Sequence, residues 1–124
     1  MQIQVNTGHN VKGGDLLRQH VESLLNDSLN SFKDEVTRVE VHVSDENGHK
    51  GGDDDLRCTM EARIRGMQPI AVTHHAENVD QAIAGAADRI HRSVRKTLEK
   101  RREVKLAHAR HRTSEEESGQ EDID

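Results

Sequence analysis

Leu56, Cys58, Met60, Ala62 and Ile64 alternate without a break with Arg57, Thr59, Glu61, Arg63 and Arg65. Successive side chains on a strand point to opposite faces, so this run demands a sheet with one apolar face and one polar face. A sheet of that kind cannot stand alone, because its apolar side must be covered by another layer. Val39, Val41 and Val43 alternate in the same way with Arg38, Glu40 and His42, and predict a second half-buried strand. Ile3 and Val5 among polar neighbours predict a short first strand. Gly66–Gln68 predicts a turn, and Pro69–His75 a fourth strand with proline at its start, where a strand tolerates it. Residues 45–55 hold Gly48, Gly51, Gly52 and five acidic groups, the composition of a long solvated hairpin loop.

The covering layer is written in two helical stretches. Gly8–Gly14 reads as a loop, and a helix is expected from Asp15 to Ser31. Its inward face is predicted to carry Leu17, Val21, Leu24 and Ser28, with Leu25 and Phe32 at the flank and Leu16 on the opposite edge. Asn78 has the character of a helix N-cap, with Gln81 three residues later completing a capping-box pattern. The helix that follows aligns Val79, Ile83, Ala87, Ile90, Val94 and Leu98 in one apolar stripe. Beyond about Glu103 the apolar pattern lapses, and Ser114–Asp124 is acidic and polar, the composition of a disordered terminus. The expected architecture is α+β: a two-layer sandwich in the order β-α-β-β-β-α, with a four-stranded sheet and two helices packed on one face. Residues 1–105 are read as one domain and residues 106–124 as an acidic tail.

Charge is segregated along the chain. Between Asp88 and Arg112 lie ten of the eighteen basic residues against three acidic ones, a local charge of +7. Residues 1–87 carry eight basic and fourteen acidic side chains, and the tail from Thr113 adds six acids and no base. The net −5 therefore conceals a cationic helix between two acidic segments. On a helical wheel of about 100° per residue, Arg89, Arg92, Arg95, Lys96 and Lys100 fall roughly 100–180° from the apolar stripe. Like charges at this spacing repel by a few tenths of a kcal/mol per pair, and a purely structural helix gains by alternating sign. The macrodipole favours bases in a last turn but not over three turns. An uncompensated cationic face is the footprint of a phosphate-rich partner. Arg57, Arg63 and Arg65, opposite the apolar residues of the third strand, either extend that surface or pair with Glu61 and Glu40 across the sheet. The acidic tail is either a solubilising terminus or a competitor for the basic helix.

Other chemistries find little support. Phe32 is the sole member of the Phe/Trp/Tyr set, so exposed rings for stacking unpaired bases are lacking, and a nucleic acid is expected to be read by backbone and shape. His74 and His75 are adjacent in a strand and point to opposite faces. His108 and His111 have workable spacing on a doubtful helix end, and Cys58 is far from any set of four zinc ligands, so no metal site or cofactor is expected. His20 is read as a packed boundary residue and Cys58 as plain core. The loop at Asp45–Asp55 lacks the ligand order of a calcium loop. Gly13-Gly14 and Gly51-Gly52 lack the Lys-Ser/Thr of a phosphate loop, and Ser23, Ser28 and Ser31 lie on or at the end of a helix without a nucleophile elbow, so an enzyme is not expected. No run of about eighteen apolar residues and no charged-then-apolar leader is present, and a single cysteine forms no internal disulfide, which favours a cytoplasmic protein free of the membrane.

The opening Gln2-Ile3-Gln4-Val5, then Gly8-His9, then Leu17-Arg18-Gln19-His20-Val21, followed by Glu77-Asn78, Ala82-Ile83, Asp88-Arg89-Ile90 and Arg92-Ser93-Val94-Arg95-Lys96, resembles the ribosome hibernation-promoting factor family. That family is also called the ribosome-associated inhibitor or sigma-54 modulation family, and the resemblance runs from about Met1 to Arg102. It implies a fold like that of double-stranded-RNA-binding domains and a non-enzymatic factor seated in the mRNA and tRNA channel of the small ribosomal subunit, where it silences idle ribosomes under stress. By register it assigns rRNA phosphate binding to Arg89, Arg92, Arg95, Lys96 and Lys100, with Arg101 and Arg102 at the helix end, and to Arg18 on the first helix. Arg63 and Arg65 join this candidate set if the third strand extends the basic surface. Long members add a C-terminal dimerisation domain, so the resemblance is to a short form. Departures are Asp80 in place of the usual aromatic, few basic residues on the first helix, and the acidic Asp53–Asp55 loop. The competing reading is a protein–protein interaction module of the same fold that no longer binds ribosomes.

Overall fold

The computed structural model describes residues 1–8, 11–46 and 56–117, with side chains as far as residue 107. Its elements follow the order β1 (Gln2–Thr7), α1 (Asp15–Ser28), β2 (Val36–Asp45), β3 (Leu56–Ile64), β4 (Ile70–Ala76) and α2 (Val79–Glu117). The chain divides into two compact units, Met1–Val94 and Arg95–Asp124, and the boundary falls inside α2.

The first unit holds the whole sheet, in the order β1-β2-β3-β4. β1 runs parallel to β2, because the connection between them is a helical crossover rather than a tight turn. The β2–β3 and β3–β4 pairs are antiparallel. Gly66 closes the last hairpin with φ 75°, where the Met67 N–H donates to the Ile64 carbonyl at 3.0 Å. A positive φ at the third position of such a turn favours glycine.

Register aligns the alternating residues on one side. Ile3, Val39 and Ala62 face the same way, as do Val5, Val41, Met60 and Val72, and then Val43, Cys58 and His74. Val39, Val41, Val43, Cys58, Met60, Ala62 and Ile64 are buried. Ile83, Ala87, Ile90, Val94 and Leu98 of the expected α2 stripe are buried too, together with Ala82 and Ala86, while Val79 is half-buried. Each fully buried Ile or Val is worth roughly 1.5–3 kcal/mol. The Asn78 Oδ1 accepts from the Gln81 N–H at 2.8 Å, and Asp80 in the first turn places an acid where the helix dipole favours one.

Three expectations need correction. α1 ends at Ser28, and a 3-10 turn over Asn30–Phe32 replaces its predicted last turn. The run Asn26-Asp27-Ser28 explains the early stop, since these side chains compete with the backbone for helical hydrogen bonds. The buried line of α1 is Val21, Leu25 and Leu29, with Leu17, Leu24 and Ser28 half-buried; Leu25 is central rather than flanking. α2 continues through residue 105 to Glu117, so residues 114–117 are helical. Residues 118–124 and the acidic loop at 47–55 lie outside the described residues.

Two histidines set how the helices seat. The His91 Nδ1 lies 2.7 Å from the Ser28 carbonyl and donates to it, while its ring leans on Phe32 at 5.6 Å between centroids. α1 has no basic residue in its last turn, so a side chain of α2 satisfies a terminal carbonyl that α1 leaves open. His74, on the inner face of β4, fills the space opposite Gly85: a Cβ at Gly85 would sit 2.1 Å from His74 Cδ2 and 2.6 Å from its Cγ. Alanine is favoured over glycine in a helix by about 1 kcal/mol, but overpacking costs roughly 1–3 kcal/mol. Gly85→Ala should therefore lower the unfolding free energy by about 1 kcal/mol and, in a His74→Ala background, raise it. Urea titrations of the four chains read this change of sign.

Burial pushes the Cys58 thiol from 9.0 up to about 12. The folded state thus keeps the thiol protonated where the unfolded chain ionises it. The stability that Cys58 confers is complete below pH 9 and falls as pH rises from 9 toward 12. The stability advantage of the native chain over Cys58→Ala should shrink across that window in denaturant titrations.

Candidate nucleic-acid interface

The exposed face of the sheet carries cations, yet it neutralises them. Register sets Arg38 opposite Arg63 and Glu40 opposite Glu61, so like charges meet across the strands and opposite charges meet along them. Arg63 pairs with Glu61 at 3.5 Å, and the Arg38 Nε lies 3.1 Å from Glu40 without the alignment of a hydrogen bond. The Arg38 guanidinium also donates to Gln4 on β1. Arg57 approaches Glu46 at 3.5 Å, and the same carboxylate meets the His75 Nε2 at 3.0 Å. The two alternatives for Arg57 and Arg63 are thereby narrowed: both contact carboxylates, Arg63 along its own strand with Glu61 and Arg57 with Glu46 at the end of the neighbouring β2. Arg65 follows β3, where its N–H donates to the Glu35 carbonyl at 2.9 Å, and it has a further partner. His74 and His75 point to opposite faces, as strand alternation requires.

On α1, Arg18 is exposed and pairs with Asp15 at 2.8 Å, three residues earlier. It lies beside β1, where Arg18, Gln19 and Glu22 line a cavity of about 580 Å³ with Ile3, Gln4, Val5 and Asn6.

The cations of α2 are placed differently. In the first unit Arg89 and Arg92 are exposed; Arg92 pairs with Asp88 at 2.7 Å, and Arg89 has no carboxylate within 4.0 Å among the described residues. In the second unit Arg95, Lys96, Lys100, Arg102 and Lys105 are all exposed, again with no carboxylate within 4.0 Å among the described residues. Glu99 and Glu103 border the same surface as Lys96 and Lys100 without closing an ion pair. Arg101 is the exception. It stands three residues after buried Leu98, on the side of the apolar stripe, and is half-buried with a partner of its own. Lys105, outside the predicted set, is exposed too, but seven residues after Leu98 it lies on the side of the apolar stripe rather than on the face of Arg92 and Lys96.

Seven predicted α2 residues thus divide into five open cations, one surface ion pair and one half-buried arginine. A surface pair such as Arg92–Asp88 is worth about 0–1 kcal/mol, so a phosphate displaces it at little cost. Phe32 is half-buried against His91 and offers no open ring for base stacking. Among the described residues no three His, Cys, Asp or Glu side chains converge on a possible metal position, and no helix is long and apolar enough to cross a membrane.

Residues 4–102 match the model of a protein family described as sigma 54 modulation protein / S30EA ribosomal protein. Among solved structures, the chain is similar to the N-terminal domain of Protein Y from Thermus thermophilus, with a TM-score of 0.63 at 23% identity over 78% of this chain and 99% of that one. It is equally similar to a ribosomal subunit interface protein from Coxiella burnetii, with a TM-score of 0.63 at 13% identity over 78% of this chain and 97% of that one. No curated protein matches the sequence significantly.

The α2 surface makes its own prediction. Asp88→Asn should change the unfolding free energy by no more than about 0.5 kcal/mol, the value of one helical ion pair. It should also free Arg92, so the variant is expected to elute from immobilised heparin at higher salt than the native chain.

Proposed function

The chain belongs to the sigma 54 modulation protein / S30EA ribosomal protein family, and from that premise we propose that it is a non-enzymatic, cytoplasmic ribosome-associated factor that binds the small subunit through rRNA phosphates. The observation that supports this reading is the set of exposed α2 cations without carboxylate partners among the described residues, Arg89 in the first unit and Arg95, Lys96, Lys100 and Arg102 in the second. Leaving like charges unpaired on a helix costs stability, and an anionic polymer recovers that cost on binding. Arg92 joins the set once phosphate competes with Asp88. Arg101, Arg18, Arg63 and Arg65 take secondary parts, because each already has a partner in the chain.

Arg95 to Arg102 spans about 10 Å of helix, with side chains recurring about every turn. Phosphate contacts of this kind set position and register, and the shape of the rRNA cleft supplies selectivity, since the fold offers no open aromatic platform. The description of the family and the name of the Coxiella burnetii structure, a ribosomal subunit interface protein, support a ribosomal partner. Inhibition is then steric: a folded domain occupies the track that mRNA and tRNA need, and the ribosome is held idle. The binding domain is residues 1–105, in keeping with the family match ending at 102, and the acidic segment that follows adds negative charge beside it.

Sedimentation of the full chain with purified small subunits over a salt series tests the proposal. Five phosphate contacts with a slope of about −0.9 each predict an affinity loss of about 500-fold between 50 and 200 mM salt. The triple variant Arg89→Glu, Arg92→Glu, Lys96→Glu is expected to keep its circular dichroism and melting profile yet stay in the supernatant. Equal pelleting of variant and native chain overturns the assignment.

A further inference from the structure

The sheet ends in two terminal strands, and among the described residues only β1 has charged side chains of another element beside it. Charged residues of α1, Arg18 and Glu22, stand beside β1. Among the described residues β4 carries no such charge along its far edge. Its seven residues, Ile70-Ala71-Val72-Thr73-His74-His75-Ala76, include no Lys, Arg, Asp, Glu or Pro, and its pairing with β3 has no bulge. Among the described residues no backbone hydrogen bond leaves its far side. Proteins ordinarily blunt a terminal strand with charge, proline, a bulge or a cover, because its free N–H and C=O groups template further pairing.

We infer that β4 is a self-association edge, pairing antiparallel with β4 of a second copy about a two-fold axis at Thr73. That axis sets Thr73 against Thr73 of the second copy, Ala71 against His75, Val72 against His74 and Ile70 against Ala76, so every residue of the strand finds an opposite number. Two features of the exposed sheet face favour a second copy as the occupant. Thr73 Oγ1 already lies 3.1 Å from Thr59 Oγ1 on β3, and the two-fold extends this pair into a continuous row of four threonines. Ala71, Thr73 and His75 share the exposed face, and the neighbours of Ala71 and His75 on β3 are Glu61 and Arg57. The two-fold therefore sets no like charges opposite one another across the new seam, since His75 meets Ala71 and Thr73 meets Thr73, while Glu61, Arg57 and His75 keep their partners within each copy. The small Ala71 side chain also leaves His75, held by Glu46, undisturbed. An isologous contact of this type closes at two copies and yields an eight-stranded sheet.

Sedimentation equilibrium of the full chain from about 5 to about 500 µM tests the inference. The native chain is expected to show a reversible monomer–dimer equilibrium. Thr73→Lys and Thr73→Glu each set like charges face to face on the axis and are expected to weaken association by about tenfold or more. Mixing the two variants sets lysine against glutamate and is expected to restore a heterodimer. Circular dichroism confirms that both variants fold. A native chain that stays monomeric throughout, or variants that self-associate as tightly as the native chain, overturns the inference. Because α2 is untouched, pelleting with small subunits is expected to be the same for all three chains.

Discussion

β2 and β3 bury every second side chain, so the sheet must be covered on that side, and the apolar faces available to cover it are those of α1 and α2. Everything else about the molecule follows from this one-sided burial. It turns Arg38, Glu40, Arg57, Glu61 and Arg63 outward, where cross-strand register makes like charges neighbours and leaves each arginine to find its carboxylate along its own strand or at the end of β2. It also determines what α2 can show to solvent. With Ile83, Ala87, Ile90 and Val94 committed inward, Arg89 and Arg92 have only the solvent side left.

Two surfaces of the same chain thus carry arginine but differ in chemistry. On the sheet, Arg38, Arg57 and Arg63 are compensated locally, which suits a surface that need only stay soluble. On α2, Glu99 and Glu103 stand within one helical turn of Arg95, Lys96, Lys100 and Arg102 yet close no ion pair with them, and apart from Arg92 and Arg101 the candidate cations find no carboxylate partner among the described residues. Electrostatic energy left unsatisfied in the free protein is available to a polyanion, and this asymmetry separates a binding face from a merely charged one.

The seating of the helices depends on two polar contacts rather than on hydrophobicity alone. His91 completes the backbone hydrogen bonding of α1 from a distance of sixty-three residues in sequence. Gly85 gives up a side chain so that His74 fits beneath α2. Apolar burial supplies most of the free energy, but it is non-directional, and contacts of this kind select one arrangement among those that bury similar area.

Alternation at Val39–Val43 and Leu56–Ile64, the Asn78 cap and the stripe from Ile83 to Leu98 were legible in the chain by itself, because strand and helix periods are local properties of the backbone. The outward aim of Arg89, Arg95, Lys96 and Lys100 followed from the same period. Where α1 stops was misread, since its last turn is decided by competition between Asn and Ser side chains and by a histidine of another element. The partners of Arg57 and Arg63 were undecidable in one dimension, because a shift of one residue in strand register exchanges every neighbour. Arg101 stands three residues after Leu98 and seven after Val94, so the helical period by itself sets it on the apolar side, and only its partner needed the folded chain. The amino-acid order determined which faces exist and what charge they carry; tertiary structure alone decided which of those charges are already spoken for, because ion pairing depends on distances that only the folded sheet creates.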